Sequence, residues 1–369
     1  MLYIDGSYGE GGGQILRTAL ALSVLSGKPV EIGHIRAGRR NPGLRAQHVM
    51  SVRAISEICG ARVEGLELGS QHIRFMPGPV HGGRYVFDVA QVRASAGSTG
   101  MIFQTVAPVL GFAEASSDLI LKGGTHTLWA PPIDYLSDVF LPMVHPMGFY
   151  AEIGMERWGW YPEGGGIVHA HVEPCAGLKG LVLKERGRLL EITGRSVVSN
   201  LPRSIAERQR DRALTRLGQE GLWAEITLTK APSVGRGTLV FLVARFEHGI
   251  AGFSALGARG KRAEQVAEEA VDALRTYLDS GAAVDPHLSD QLILYMALAE
   301  GTSAFTTSQV TSHLLTNIWV VKHFFAVRCE VHGTIGQPGQ VHIEGMGLRG
   351  CPYQGISKSP EPAVRGSVV

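Results

Sequence analysis

Apolar positions at helical spacing predict two helices near the start of the chain. The strand-like run LYID leads into a glycine-rich stretch, and the apolar segment after it predicts a helix that ends at Gly27. A second helix is predicted with Asn41 at its N-cap and Pro42 in its first turn, since both residue types favour helix starts. Apolar residues follow near the helical period up to Gly60, which supplies the stop.

The order of these patterns repeats along the chain. The run SYGEGGGQI around Glu10 returns as WYPEGGGIV around Glu163, and a third copy is predicted from FTTSQVTSHLL onward. Each copy combines a strand, a loop, a helix and two further strands. We therefore expect an α+β fold in which repeated βαββ-type units build a large domain, with helices covering one face of each sheet.

The repeat is interrupted between residues 179 and 276. This segment has its own strand and helix patterns, including the charged run SIAERQRDRALTRLG. We interpret it as a small α/β domain inserted into a large domain of residues 1–178 and 277–345. Residues 346–369 contain Gly, Pro and Ser without periodicity, so we expect a poorly ordered tail.

The composition predicts a globular protein without a membrane anchor. With 369 residues, 44% of them hydrophobic, the chain can bury a large core, and no apolar stretch approaches the roughly 18 residues that span a bilayer. A net charge of +2 creates no global attraction for nucleic acid, so a polyanionic partner would need a local basic cluster. The four cysteines lack C-x-x-C spacing and no leader-like segment precedes LYID, so we expect a reduced, cytoplasmic protein.

The glycine-rich run around Glu10 has two interpretations. It lacks the Lys-Ser/Thr pair of a Walker A loop, so it is either a tight turn without a ligand or a site where an anion approaches a helix start. In the second case Glu10 would supply an oxygen to a divalent cation on the same anion, because a lone carboxylate would repel phosphate.

Basic residues cluster after the glycine-rich run. Arg36, Arg39, Arg40 and Arg45 fall within ten residues, and Arg17 lies on the first predicted helix. Guanidinium groups suit bidentate phosphate contacts, which favours an anion site, whereas a solvated basic loop is the alternative. The charged run SIAERQRDRALTRLG interleaves acidic residues and is more typical of a solvated face than of an RNA contact.

His313 is a candidate nucleophile. With Ser312 as the N-cap, its imidazole would lie in the first turn of a helix, where the helix dipole disfavours the protonated ring. A neutral imidazole can attack phosphorus, although any one of the 14 histidines can equally serve a structural role. Asp290 and Gln291 are typical of an N-cap pair, and Gln104 is a polar residue inside an apolar helix that needs partners.

A series of motifs resembles the RNA 3′-terminal phosphate cyclase family, in order and along nearly the whole chain to about residue 345. These motifs are GEGGGQILR, IRAGRRNPGLRAQH, SAGSTGMIFQT, GGTHTLWAPPIDY, DPHLSDQLILYMALAEG and SHLLTNIWVV. The resemblance implies repeated βαββ-type units with an inserted small α/β domain, in line with the repeats and their interruption.

The resemblance also implies an ATP-dependent reaction that uses Mg²⁺ or Mn²⁺ and acts on RNA with a 3′-phosphate. In this family a histidine attacks the α-phosphorus of ATP to give a histidine-AMP phosphoramidate and pyrophosphate, and the matching residue is His313. AMP then passes to the RNA 3′-phosphate, giving RNA(3′)pp(5′)A. The vicinal 2′-hydroxyl closes a 2′,3′-cyclic phosphate and releases AMP.

Further site residues are implied by the matching motifs. Glu10 resembles the metal-binding carboxylate near the triphosphate, and Pro131 resembles one wall of the adenine pocket. Asp290 and Gln291 match an Asp-Gln pair near the nucleotide and the histidine. Contacts with the nucleotide phosphates or the RNA end are implied for Arg17, Arg36, Arg39, Gln47 and Gln104.

Two positions depart from the family pattern. His287 stands where some relatives have a tyrosine that stacks on adenine, a role that imidazole can also fill. His126 stands where an acidic or amide residue is common, which leaves the contacts near the ribose or metal open.

Two other classes of function stay open from the sequence. A cyclase-like branch of the family lacks the catalytic histidine and serves in ribosome assembly as an RNA-binding or scaffold protein, and the presence of His313 separates this chain from it. An unrelated transferase with repeated βαβ units, of the kind that binds phosphorylated sugars, is the other alternative.

Overall fold

The computed structural model describes residues 1–350, which fold into an α+β protein of several sheets and helices. In chain order the strands are β1 (Leu2–Asp5), β2 (Val30–Gly33), β3 (Arg62–Glu64), β4 (Ile73–Met76), β5 (Arg84–Asp88), β6 (Ser117–Gly123), β7 (Ala151–Arg157), β8 (Gly166–Val172), β9 (Val182–Leu183), β10 (Leu189–Ser199), β11 (Glu225–Lys230), β12 (Gly237–Phe246), β13 (Ile250–Leu256), β14 (Glu300–Thr307), β15 (Arg328–His332) and β16 (Gly339–Met346). The helices are α1 (Gly13–Ser26), α2 (Ala46–Cys59), α3 (Thr99–Leu110), α4 (Ile133–Tyr135), α5 (Leu141–Val144), α6 (Arg203–Gln219), α7 (Ala263–Ser280), α8 (Pro286–Leu298) and α9 (Ser312–Phe324). A π-helical turn over Leu136–Phe140 joins α4 to α5.

Three sheets within residues 1–350 share one topology. Their strand orders are β1-β2-β4-β3, β5-β6-β8-β7 and β9-β14-β16-β15. In each sheet the first two strands are parallel and the other neighbours are antiparallel. A parallel pair requires a crossover connection, which α1 and α3 provide in the first two sheets. The repeating unit is therefore larger than the predicted βαββ unit, because a further parallel strand and a further helical segment belong to it.

The fourth sheet, β11-β10-β12-β13, has a different strand order and comes from the chain between β9 and α8. Helices α6 and α7 cover one face, where Val240 of β12 is buried among apolar residues of that unit. The next residue, Phe241, faces the opposite way and joins the main core. Because β9 pairs with β14 and α7 continues to Ser280, this unit runs from Leu189 to Ser280, whereas the sequence predicted limits at 179 and 276.

Three arginines of α6 pair with acidic residues of α7, and the other two, Arg203 and Arg210, pair with acidic residues of α6 itself. Arg208 Nε lies 2.7 Å from Glu264 Oε1, and Arg216 contacts Asp272 Oδ1 at 2.9 Å. These ion pairs occupy the basic side chains within the unit, as expected for a solvated charged face.

The second helix starts later than predicted. Arg45 is the N-cap of α2, whereas Asn41 and Pro42 lie in the preceding loop. The Arg36 guanidinium donates to the carbonyl oxygens of Asn41 and Gly43, each at 2.8 Å, and so holds this loop out of helical geometry. The predicted stops are confirmed, since Gly27 and Gly60 cap α1 and α2 in the left-handed conformation.

The helices that carry the Asp-Gln pair and His313 also differ at their starts from the prediction. Asp285 caps α8 by accepting hydrogen bonds from the backbone N–H groups of the next turn, so the prediction of Asp290 and Gln291 as the cap is wrong. Both lie inside the helix. The N-cap of α9 is Thr311 instead of Ser312, and His313 lies in the first turn as predicted.

The last described residues belong to the fold. Met346 ends β16, and the backbone N–H of Leu348 donates to the carbonyl oxygen of Leu298 at 2.9 Å. The expectation of poor order is therefore wrong for residues 346–350, which pair with the end of α8. The rest of the expected tail, residues 351–369, lies outside the described residues. Within residues 1–350, no helix has both the length and the apolar character needed to cross a membrane.

Candidate active site

The N-terminal parts of several helices meet at one cavity of about 800 Å³. Helix α1 contacts α2, α3 and α9, and α8 contacts α9, which brings the starts of these helices together. Unpaired N–H groups and the helix dipole give each start a partial positive charge, so the cavity favours an anionic ligand. Ser254 and Lys261, from the unit of residues 189–280, close another side of the cavity.

All the residues that the sequence assigned to the site line this cavity. They are Glu10, Arg17, Arg36, Arg39, Gln47, Gln104, Pro131, His287, Asp290, Gln291 and His313. His126, whose role the sequence left open, is fully buried elsewhere, with Nε2 at 2.6 Å from Asp134 Oδ2. Its ring therefore acts as a structural partner of Asp134.

His313 is held on both ring nitrogens. Nε2 lies 2.8 Å from Glu10 Oε2, and Nδ1 contacts Gln14 Oε1. An amide oxygen only accepts hydrogen bonds, so Nδ1 must carry the proton in this contact. When the ring is protonated, Nε2–H donates to the Glu10 carboxylate, and when the ring is neutral with its proton on Nδ1, Nε2 carries the lone pair.

The charge state of His313 differs from the expectation. Burial lowers the pKa of His313, but the hydrogen bond to Glu10 and the charges of Asp290 and Glu10 outweigh burial, so the pKa is raised. The expectation that the helix dipole keeps the ring neutral is therefore wrong in direction, because two neighbouring carboxylates dominate over the helix start.

Glu10 is shared between a histidine and an arginine. Its Oε1 accepts from Arg39 Nη2 at 3.0 Å while Oε2 faces His313. Burial raises the pKa of Glu10, but the hydrogen bond and charge of His313 and the charges of Arg39 and Arg17 prevail, so the pKa is lowered. Within residues 1–350 no group of three or more His, Cys, Asp or Glu side chains could hold a metal by itself. A single carboxylate does suit Mg²⁺ that takes its other ligands from substrate phosphates and water.

Arg17 is a half-buried cation of the cavity. Burial lowers its pKa to about 10, although the charges of Asp290 and Glu10 favour the protonated form. Its guanidinium contacts Met101 Sδ at 3.5 Å, and within residues 1–350 it forms no ion pair. A half-buried guanidinium with a thioether as its hydrogen-bond partner retains donors for an incoming anion.

The Asp-Gln pair of α8 lines the floor near α9. Burial raises the pKa of Asp290 to about 6, although the charges of His313, His287 and Arg17 favour the ionised carboxylate. The Asn317 side chain donates to the Asp290 carbonyl oxygen at 2.8 Å and thereby ties α9 to α8. Gln291 Oε1 is buried without a hydrogen-bond partner in residues 1–350, so it is available to a donor on a ligand.

Two functional candidates were missed by sequence reasoning. Gln14 lies in the first turn of α1, and its contact with His313 spans a sequence separation of 299 residues. His48 follows Gln47 in the quoted motif and lines the cavity, with Nδ1 accepting from the Arg45 backbone N–H at 3.0 Å. Burial and the charges of nearby arginines lower the pKa of His48 to about 3, so the ring is neutral and its Nε2–H is a donor. The position within a family motif was the available signal for both residues, since Gln14 lies in GEGGGQILR and His48 in IRAGRRNPGLRAQH.

The fold and the cavity together define an α+β protein with a site built for a polyanionic ligand beside a histidine. The sequence profile of the RNA 3′-terminal phosphate cyclase family matches residues 8–331. The chain belongs to this family, as its sequence motifs predicted.

Curated relatives named RNA 3′-terminal phosphate cyclase align over nearly their whole length. The protein of Methylococcus capsulatus is 47% identical, with 94% of this chain and 97% of the relative covered. The protein of Gloeothece citriformis is 44% identical, covering 88% and 93%. That of Pyrococcus furiosus is 40% identical, covering 93% and 98%. Among solved structures, the enolpyruvyl transferase NikO from Streptomyces tendae aligns over 47% of this chain and 33% of the NikO chain, with a TM-score of 0.28 and 14% sequence identity. A similarity this low supports no conclusion about fold or function.

Proposed function

We propose that this protein converts an RNA 3′-phosphate into a 2′,3′-cyclic phosphate at the expense of ATP, with His313 as the nucleophile. The observation that carries the proposal is the geometry of His313, held by Glu10 and Gln14 in a cavity with unpaired Arg17, in a chain of the cyclase family. This arrangement supplies a positioned nucleophile and cationic groups for phosphoryl transfer in one place.

The reaction proceeds in three displacements. His313 first loses its Nε2 proton, for which Glu10 is the adjacent acceptor; Nε2 then attacks the α-phosphorus of ATP, the bond to the β-phosphate bridging oxygen breaks, and pyrophosphate leaves. An oxygen of the RNA 3′-phosphate then attacks the same phosphorus, which frees His313 and forms RNA(3′)pp(5′)A. The neighbouring 2′-hydroxyl attacks the RNA phosphorus, loses its proton, and expels AMP.

Side chains of the cavity support the first displacement directly. Gln14 accepts the Nδ1 hydrogen bond of His313 and so leaves Nε2, which faces Glu10, as the nitrogen that would attack once it has given up its proton. As Nε2 attacks, positive charge develops on the ring, and Gln14 and Glu10 stabilise it. Arg17, Arg36 and Arg39 would neutralise charge on the phosphoryl oxygens.

The nucleotide end of the cavity fits a purine. Pro131 and His287 provide an apolar and a flat surface in the lining, and Gln291 Oε1 lacks a partner within the described chain. An amide acceptor of this kind would bind the exocyclic amine of adenine. Glu10 would hold Mg²⁺ or Mn²⁺, which supplies charge neutralisation on the triphosphate when bound.

The test is incubation of the purified protein with α-labelled ATP and divalent metal, followed by a denaturing gel. We expect an acid-labile label on the wild type, no label on His313→Ala, and a normal label on His323→Ala, an exposed histidine on the same helix. Adding RNA with a 3′-phosphate should discharge the label and yield a 2′,3′-cyclic end, whereas RNA with a 3′-hydroxyl should not. A folded wild type without label would overturn the proposal and favour a non-catalytic RNA-binding protein.

A further inference from the structure

Trp129 is an exposed tryptophan in an unfavourable backbone conformation at the cavity. Its residue is 93% exposed, and its φ of 67° lies in the left-handed region that suits glycine. Burial of the indole does not offset this strain, since the ring faces solvent. Neither packing nor backbone preference therefore explains a tryptophan here, and strained residues of this kind concentrate at ligand clamps.

The loop that carries Trp129 is closed at its base. The backbone N–H of Ile133 donates to the Thr125 carbonyl oxygen at 3.3 Å, and His126 bonds to Asp134 across the same base. Arg195 Nη1 of β10 donates to the other oxygen of Asp134 at 2.7 Å. These hydrogen bonds fix the base of the loop, so less conformational entropy is lost when a ligand binds at its tip.

The tip of the loop is the exposed part of the cavity lining, two residues before Pro131. Pro131 and His287 are the surfaces assigned to adenine, whereas Trp129 and the 64% exposed Leu128 form part of the rim. A 3′-phosphate that reaches His313 belongs to a strand that must leave the cavity past its rim. Arg36 and Arg39 also line the cavity and supply charge complementary to the strand.

We propose that Trp129 stacks on a nucleobase near the 3′ end of the RNA substrate. This inference rests on the proposed function, because it assigns the RNA-binding part of the same site. An indole face accepts any base, so the contact would hold the strand without selecting its sequence. Trp129 then contributes to RNA binding and leaves the reaction of ATP with His313 unaffected.

The experiment compares wild type, Trp129→Ala and Trp129→Phe in two assays. We expect Trp129→Ala to raise the KM for a short RNA with a 3′-phosphate by about fivefold or more, the effect of losing one base stack, at similar kcat. Trp129→Phe should restore most of the affinity. Labelling with ATP alone should keep its rate and its ATP dependence. Trp223→Ala, which removes a 79% exposed tryptophan outside the cavity lining, is the matched control.

Abasic substrates identify the stacked base. Removal of the base at one of the last three nucleotides should weaken wild-type binding as much as Trp129→Ala does, with no further loss when both changes are combined. An unchanged KM in Trp129→Ala, or additive losses at every abasic position, would refute the stacking. A changed ATP dependence of labelling would instead assign Trp129 to adenine.

The two proposals fail in different ways. An unlabelled wild type overturns the cyclase reaction, whereas an active Trp129→Ala enzyme with normal KM overturns only the stacking. RNA binding followed by fluorescence anisotropy, without ATP, provides a measure of the stacking that does not depend on turnover. Equal affinities of wild type and Trp129→Ala in that assay would also reject it.

Discussion

The contact between Gln14 and His313 leads to a quantitative prediction for the first step. Gln14→Met preserves the side-chain length and removes the acceptor for Nδ1–H. A neutral hydrogen bond contributes about 1 kcal/mol net, and one to a charged group about 1.5–3 kcal/mol. Because the ring becomes cationic during attack, the difference of about 1–1.5 kcal/mol is lost only in the transition state.

This difference corresponds to about a tenfold slower labelling of His313 by ATP. Without Gln14 the neutral ring no longer prefers the tautomer with its proton on Nδ1, so the fraction of rings able to attack through Nε2 falls by about half. The labelling rate should therefore fall by about 10- to 20-fold in total. Gln14→Glu retains an acceptor. It should label at a near-normal rate at high pH, with the rise of its pH profile displaced upward because a third carboxylate, beside Glu10 and Asp290, favours the protonated ring.

The assay is a time course of covalent AMP formation at saturating ATP without RNA. ATP affinity is measured separately, and Gln309→Met, an exposed glutamine outside the cavity lining, serves as the control. Gln14 is buried, so the melting temperature of each variant is recorded to exclude unfolding. Wild-type labelling by Gln14→Met would refute the assigned role of the contact.

Three further predictions concern charged groups. Arg17→Lys should be labelled by ATP at least about 100-fold more slowly than wild type, since an ammonium cannot replace the forked donors of a guanidinium. Arg203→Lys, on the surface of α6, should be labelled at the wild-type rate. Equal labelling rates of the two variants would exclude a phosphate contact of Arg17. Asp290 has its pKa raised by burial to about 6, so the native state binds more protons than the unfolded chain between about pH 4 and 6, and stability falls as pH rises through this window. The free energy of unfolding of Asp290→Asn minus that of wild type, both measured in urea, should therefore be up to about 3 kcal/mol larger at pH 7 than at pH 4. The same difference at both pH values would contradict this. Arg195→Ala leaves the fully buried Asp134 with His126 as its remaining partner and should cost about 3 kcal/mol in the free energy of unfolding. Arg203→Ala, which breaks an exposed pair with Glu207, should cost less than about 0.5 kcal/mol, and equal costs would show that the Asp134–Arg195 pair is not important.

Local sequence signals predicted much of the fold. Gly27 and Gly60 end helices where expected, because a left-handed cap is a local property of glycine. The start of α2 was misplaced, since the contacts of the Arg36 side chain and not residue preference keep Asn41 out of the helix. The size of the repeating unit was also underestimated, because parallel pairing such as β1 with β2 is a non-local contact.

The residues that the local patterns and the family resemblance assigned to a site line one cavity, but their electrostatics were not predicted. The arginine cluster and the glycine-rich run are recognisable from residue types, and all the assigned residues do line one cavity. The pKa of His313 was expected to fall and instead rises, because Glu10 and Asp290 come near the ring only through tertiary packing. Prediction from the helix start alone could not include those charges.

The sequence by itself determined the family, the helix-dipole setting of His313 and the set of polar residues available for phosphate chemistry, because these depend on short motifs. Only the tertiary structure decided which side chains contact the two ring nitrogens of His313, and that Arg17 forms no ion pair within residues 1–350. It also decided that a strained Trp129 lies at the rim. The physical reason is distance along the chain: Gln14 and His313 are 299 residues apart, and their contact exists only after the helices that carry them have packed together.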